Sequence, residues 1–215
     1  MNEADRRSAV VEAVRALDAK GFNHGSSGNV SARCDGGMLV TATGARAATL
    51  TPDALVRMDL AGKVEGPGTP SSEWRFHAEI LRLRPEIEAV VHTHADSCVA
   101  LSCLRKPIPA FHYMVASFGG NMVPCARYEP FGSDLLADAA VEALEGHFAC
   151  LLSNHGMIAI GRSLSHAVDL TVKLETLARQ YILALQAGEP VLLEDADMAE
   201  VHERYRHYGV SAMPR

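Results

Sequence analysis

Apolar positions over residues 5–20 recur at helical spacing: Val10, Val11, Val14 and Leu17 fall on one stripe, which ends before Gly21. The pattern then shortens. Runs at 29–33, 38–43 and 56–60, the first two separated by a turn at Gly36-Gly37, predict strands. Pro70-Ser71-Ser72 followed by Glu73 predicts a helix start, with a serine as N-cap and an acidic residue in the first turn. That helix runs to about Arg84, ahead of Pro85. Ala89, Val90 and Val91 predict a buried strand that continues into His92-Thr93-His94. Beyond it the pattern predicts a helix near 97–104, a strand near 112–116, a helix over 133–144 and a strand over 150–153. A long helix spans roughly 165–187, and a charged one runs from Glu194 to near Tyr208. Strands and helices mixed without a strict βαβ rhythm predict an α/β fold with a central, mainly antiparallel sheet flanked by helices.

A chain of 215 residues with 48% hydrophobic content is long enough to bury a core as one domain over residues 1–215, and no repeat, low-complexity segment or linker divides it. The net charge of −6 and the absence of a Lys/Arg stripe argue against a nucleic-acid partner. The polar start, MNEADRRSAV, lacks the apolar core of a signal peptide, and no apolar run is long enough to cross a bilayer. A cytoplasmic protein is expected. Its five cysteines, Cys34, Cys98, Cys103, Cys125 and Cys150, are odd in number and lack Cys-x-x-Cys spacing, so they are expected to be reduced, packed small hydrophobes.

The pair His92-x-His94, with the lone His155 about sixty residues later, changes the picture. Residues i and i+2 of a strand share a face, so two neutral imidazoles one residue apart can converge on one ion. A solvated strand edge is the plain alternative. Against it, both His92 and His155 follow apolar runs that read as core strands, and α/β folds usually place their chemistry at such strand ends. Three protein ligands leave a coordination position open, as catalytic zinc sites do.

Gly25-Ser26-Ser27-Gly28-Asn29, Thr43-Gly44 and Ser71-Ser72 are small, hydroxyl-bearing or Gly-rich turns. Such turns can wrap a phosphate dianion with backbone N–H groups and hydroxyls, and they are equally what ordinary turns are made of. Glu73 has two readings as well. A carboxylate in a first helical turn stabilises the helix dipole without catalytic duty, and propensity does not separate that role from a functional one.

Six segments in order, GSSGNVS at 25–31, TATG at 41–44, PSSEWRFH at 70–77, HTH at 92–94, IPAFHYM at 108–114 and NHG at 154–156, resemble the class II aldolase/adducin family and its short bacterial ketose 1-phosphate aldolases. The likeness covers essentially the whole chain. It implies a three-layer α/β/α sandwich assembled as a cyclic homotetramer, with active sites at subunit interfaces. It implies that His92, His94 and His155 hold Zn2+, or another divalent transition metal such as Mn2+ or Co2+. The substrate phosphate is implied to lie against Gly28, Asn29, Thr43, Gly44, Ser71 and Ser72. Glu73 matches the family's catalytic acid/base, Tyr113 a tyrosine reaching in from the neighbouring subunit, and Phe131 and Tyr208 residues lining the aldehyde end.

The implied reaction cleaves a ketose 1-phosphate of the L-fuculose, 5-deoxyribulose or 5-methylthioribulose type to dihydroxyacetone phosphate and an aldehyde. It needs no Schiff-base lysine, and none of Lys20, Lys63, Lys106 and Lys173 lies in a site motif. Apolar neighbours such as Met114, Val115 and Phe131 favour a deoxy sugar phosphate. Related readings are a pentulose-phosphate 4-epimerase, whose relatives resemble one another around an Asp where this chain has Glu73, and a methylthioribulose-phosphate dehydratase. An adducin-like interaction module without metal is the reading from a different class, and the presence of all three histidines and Glu73 argues against it.

Overall fold

The computed structural model describes residues 2–207. Helix α1 (Glu3–Ala19) opens the chain, capped by the Asn2 side chain accepting from the Asp5 N–H at 2.8 Å. Strands β1 (Asn29–Cys34), β2 (Gly37–Val40), β3 (Val56–Asp59) and β4 (Val64–Glu65) follow. Then come α2 (Trp74–Leu83), β5 (Ala89–Thr93), α3 (Asp96–Ser102), β6 (Cys125–Ala126) and α4 (Asp134–Ala143). The hairpin β7 (Ala149–Leu152) and β8 (Gly156–Gly161) precedes the long α5 (Leu164–Ala187) and α6 (Asp195–His207). The strands form one sheet in the order β4-β3-β2-β1-β5-β8-β7-β6. All pairings are antiparallel except β6 with β7, as the pattern predicts.

Period-2 alternation sorts the sheet into two buried faces. Val90 of β5 and Ile158 and Ile160 of β8 pack with Phe76, Ile80, Leu136 and Ala140 under α2 and α4. On the opposite face Ala89, Val91, Val30 and Ala32 pack with Val10 and Leu17 of α1, and Met157 and Ala159 pack with Leu170 and Leu174 of α5. The result is three layers. No helix among the described residues is long and apolar enough to cross a membrane.

Three expectations are corrected, and one strand went unpredicted. Residues 113–118 form a 3-10 helix (Tyr113–Phe118) where the pattern predicts a strand, because the His112 imidazole and carbonyl accept from the N–H groups of Met114 and Val115 and turn the chain. No serine caps α2; Glu73 occupies the N-cap position without a capping side-chain bond, while the Ser71 hydroxyl accepts from the Glu73 N–H at 3.3 Å. Cys103 is exposed at the end of α3, although Cys34, Cys98 and Cys150 are buried as expected. Residues 156–161 form a strand with no alternation to reveal it, since all six positions are buried.

Polar side chains also occupy one face of β1. Asn29, Ser31 and Arg33 alternate with the apolar Val30 and Ala32 and turn toward α2. The Arg33 guanidinium donates to the carbonyls of Leu81 (2.7 Å), Arg84 (3.0 Å) and Ile87 (2.8 Å), which satisfies the C-terminal end of α2. Arg33→Met keeps the stem and removes all three bonds. It is expected to cost about 2–3 kcal/mol in urea unfolding, with metal content per folded chain unchanged; an unaltered midpoint would show that water replaces the guanidinium without loss.

Candidate active site

The histidine expectations converge in space. His92 sits near the end of β5, His94 lies just beyond it on the same face, and His155 is carried by the three-residue turn between β7 and β8. One ring nitrogen from each lies within 4.8 Å of the others. The turn depends on two backbone features. Asn154 takes a left-handed conformation (φ 55°), which asparagine tolerates better than most residues. At Gly156 a Cβ would stand 2.5 Å from the Thr93 carbonyl oxygen and 3.1–3.3 Å from the His94 and His92 rings, so only glycine lets the hairpin close onto the imidazoles.

Hydrogen bonding fixes which nitrogen faces inward. His92 Nδ1 donates to the Met157 carbonyl at 2.9 Å, leaving the Nε2 lone pair 3.0 Å from His94 Nε2. Glu73 closes the fourth side: Oε2 is 3.3 Å from His92 Nε2 and Oε1 is 3.2 Å from His155 Nε2. Burial pushes His92 well below the usual imidazole value, assisted by its two histidine neighbours. His94 and His155 are lowered too, again chiefly by burial. Neutral imidazoles are ligands rather than cations. Glu73 Oε1 is buried and has no hydrogen-bond partner among the described residues. Three inward nitrogens and an unsatisfied carboxylate oxygen around one point are a donor set suited to a divalent ion.

A cavity of about 390 Å³ opens beside this cluster. Its walls include Gly28, Asn29, Thr43, Gly44, Ser71, Ser72, Glu73, His94, His155 and Phe131, so most of the expected site residues share one space, with the fully buried His92 behind them. Among the described residues no lysine or arginine lines it. The N–H groups of Thr43 and Ser71 already donate to the carbonyls of Thr69 and Thr41 at 3.0 Å, which leaves those two residues their hydroxyls to offer. Tyr113 is not in this cavity. It is 50% exposed and lines a second cavity, of about 290 Å³, with Met114, Lys173 and Tyr205. Phe131, 74% exposed, stands at the rim, and Tyr208 lies outside the described residues.

The chain matches the model of the class II aldolase and adducin N-terminal domain over residues 8–182. The chain belongs to the class II aldolase and adducin family. It is 47% identical over 206 residues to a 5-methylthioribulose-1-phosphate/5-deoxyribulose-1-phosphate aldolase of Rhodospirillum rubrum, covering 96% of this chain and 93% of that one. An L-fuculose phosphate aldolase of Escherichia coli is 42% identical over 202 residues, 94% of each chain. A solved L-fuculose 1-phosphate aldolase superposes with a TM-score of 0.91 at 34% identity, covering 96% of this chain and 98% of that one. Family membership explains the fold, and the aldolases of this family depend on a metal ion, to which the histidine cluster answers.

Sequence reasoning passed over several residues here. Tyr128, Glu129 and Asn154 line the cavity. More deeply, His77 is fully buried, bonded to Ser31 Oγ through Nδ1 at 2.7 Å and to Asn29 Oδ1 through Nε2 at 2.5 Å. The available signal was its spacing four residues after Glu73, which puts both on one helical face.

Burial, reinforced by His92, pulls His77 down to about 3 from its ordinary value near 6.5. As pH falls, the unfolded chain takes up this proton first. His77's contribution to stability is therefore complete above about pH 6.5 and is lost progressively toward about pH 3. Between pH 7.5 and 5.0 His77's share of the loss is expected to be about 2 kcal/mol in EDTA-treated protein, on top of what the other lowered histidines contribute. Urea unfolding at both pH values, compared with His77→Leu, checks this: the variant should lose about 2 kcal/mol less over the same interval.

Proposed function

We propose that this chain is a metal-dependent aldolase that cleaves a ketose 1-phosphate to dihydroxyacetone phosphate and an aldehyde. The observation that carries this reading is the convergence of His92, His94, His155 and Glu73 on one point at the wall of a cavity whose other wall is built of small, hydroxyl-rich turns. The relatives' names supply the substrate class: 5-methylthioribulose 1-phosphate, 5-deoxyribulose 1-phosphate or L-fuculose 1-phosphate.

The three imidazoles would hold the ion, and an all-imidazole set with an adjacent carboxylate suits zinc. When bound, it supplies Lewis acidity to negative charge that develops on the ketose oxygens. The turns at Gly28-Asn29, Thr43-Gly44 and Ser71-Ser72 would bind the phosphate through hydroxyls and backbone, orienting the ketose without a lysine. Glu73 then exchanges the proton at C3 of dihydroxyacetone phosphate. Tyr113 would pass a proton to or from the oxygen at C4, reaching in from a neighbouring copy in a cyclic homotetramer. Its half-exposed position away from its own chain's cavity supports that sharing. Phe131 on the rim, and Tyr208, would contact the aldehyde end.

Incubating the protein with each of the three ketose 1-phosphates and assaying dihydroxyacetone phosphate tests the reading directly. Release from at least one is expected, and silence with all three from a metal-replete protein would overturn it. His155→Ala is expected to lose both metal, measured by elemental analysis, and turnover; full metal content in that variant removes His155 from the ligand set. Glu73→Gln should keep its metal while kcat falls by roughly 10²-fold or more, the scale of a lost general acid/base.

A further inference from the structure

The two oxygens of Glu73 are held differently. Oε2 accepts from Asn29 Nδ2 at 2.8 Å, while among the described residues the buried Oε1 has no hydrogen-bond partner. Asn29 is itself fixed from behind, since its Oδ1 is 2.5 Å from His77 Nε2, and His77 Nδ1 is 2.7 Å from the Ser31 hydroxyl. All four side chains are at least nine-tenths buried. One order of donors satisfies every contact. Ser31 O–H donates to His77 Nδ1, His77 Nε2–H donates to Asn29 Oδ1, and Asn29 Nδ2–H donates to Glu73. The reverse amide orientation would set the Asn29 carbonyl against a carboxylate at 2.8 Å, which electrostatics forbids.

We propose that His77, acting through Asn29, is a positioning residue that clamps Oε2 of Glu73 and so fixes how the carboxylate faces the histidine cluster. The inference rests on the reading of Glu73 as acid/base. It also assigns the Asn29 side chain. Its Oδ1 is bonded to His77 and one of its two Nδ2–H donors to Glu73, so the chain fixes the orientation of the amide and leaves one N–H uncommitted.

The test uses the metal-loaded enzyme with the ketose 1-phosphate it turns over best. His77→Leu removes both imidazole nitrogens, whereas His77→Gln can restore a donor toward Asn29. For His77→Leu kcat is expected to fall by about 10-fold or more with KM within about 3-fold and metal content unchanged, because the loss falls on the chemical step. His77→Gln should recover a substantial part of that kcat. In a Glu73→Gln background His77→Leu should cost less than about 2-fold further, since residues that act through one another are not additive. If His77→Leu does not fold, Ser31→Ala, which removes the first donor of the chain, carries the same comparison with an expected kcat loss of about 3-fold. Unchanged kcat in the folded variants, or an equal loss when Glu73 is already Gln, overturns this inference while leaving Glu73 as the base. Full turnover in Glu73→Gln would overturn both.

Discussion

Between β1 and α2 the structure buries polarity where a core would ordinarily be apolar. Asn29, Ser31 and Arg33 occupy alternate positions of one strand and meet Glu73, His77 and the closing carbonyls of α2. A buried polar group without a partner costs several kcal/mol in an apolar medium, so this stripe is tolerable only in one register. A slip of one residue would turn Val30 and Ala32 toward the helix and strand the polar groups in the opposite apolar layer. The stripe therefore fixes the position of α2 along the sheet. Because Glu73 stands at the first residue before that helix, the same constraint sets where the carboxylate meets the histidines.

The electrostatics of the site follow from its depth. His92 and His77 are fully buried, and burial drives both toward the neutral form. Neutrality serves two purposes. It gives His92, together with the similarly lowered His94 and His155, lone pairs to offer an ion, and it gives His77 one donor and one acceptor, which a chain of hydrogen bonds requires. A protonated His77 could only donate, so its bond with the Ser31 hydroxyl would have to reverse, with Ser31 accepting.

Much of this was legible in the sequence. His92-x-His94 at the end of an apolar run placed two imidazoles on one face, and strand alternation held. A mainly antiparallel sheet flanked by helices followed from the mixed pattern of strands and helices, and the three layers from the family resemblance. What was not legible is where local pattern and tertiary environment part. The strand β8 is buried on both faces and so has no alternation. Residues 112–116 are a short, largely apolar and aromatic run that reads like a strand, yet the His112 side chain caps a turn instead. His77 reads as one more polar residue of an amphipathic helix, because its partners Asn29 and Ser31 lie nearly fifty residues away and only pairing of β1 with β5 brings them beneath it.

The pairing of β1 with β5 also links the two ends of the proposed reaction. Asn29 is the direct partner of His92 across the antiparallel ladder, and Gly28 stands immediately before it. At Gly28 the chain takes a left-handed turn (φ 74°), and a Cβ there would strike the Asn23 side chain at 2.1 Å, so the approach to the strand is held by a glycine. On the proposed reading, the turn that receives the phosphate and the imidazole that receives the metal are thus adjacent rungs of one sheet. Their separation is set by backbone hydrogen bonds rather than by flexible side chains. A ketose phosphate bound at one end is then presented to Glu73 and the histidines at a fixed distance, which is the condition under which binding energy remote from the reacting bond lowers its barrier.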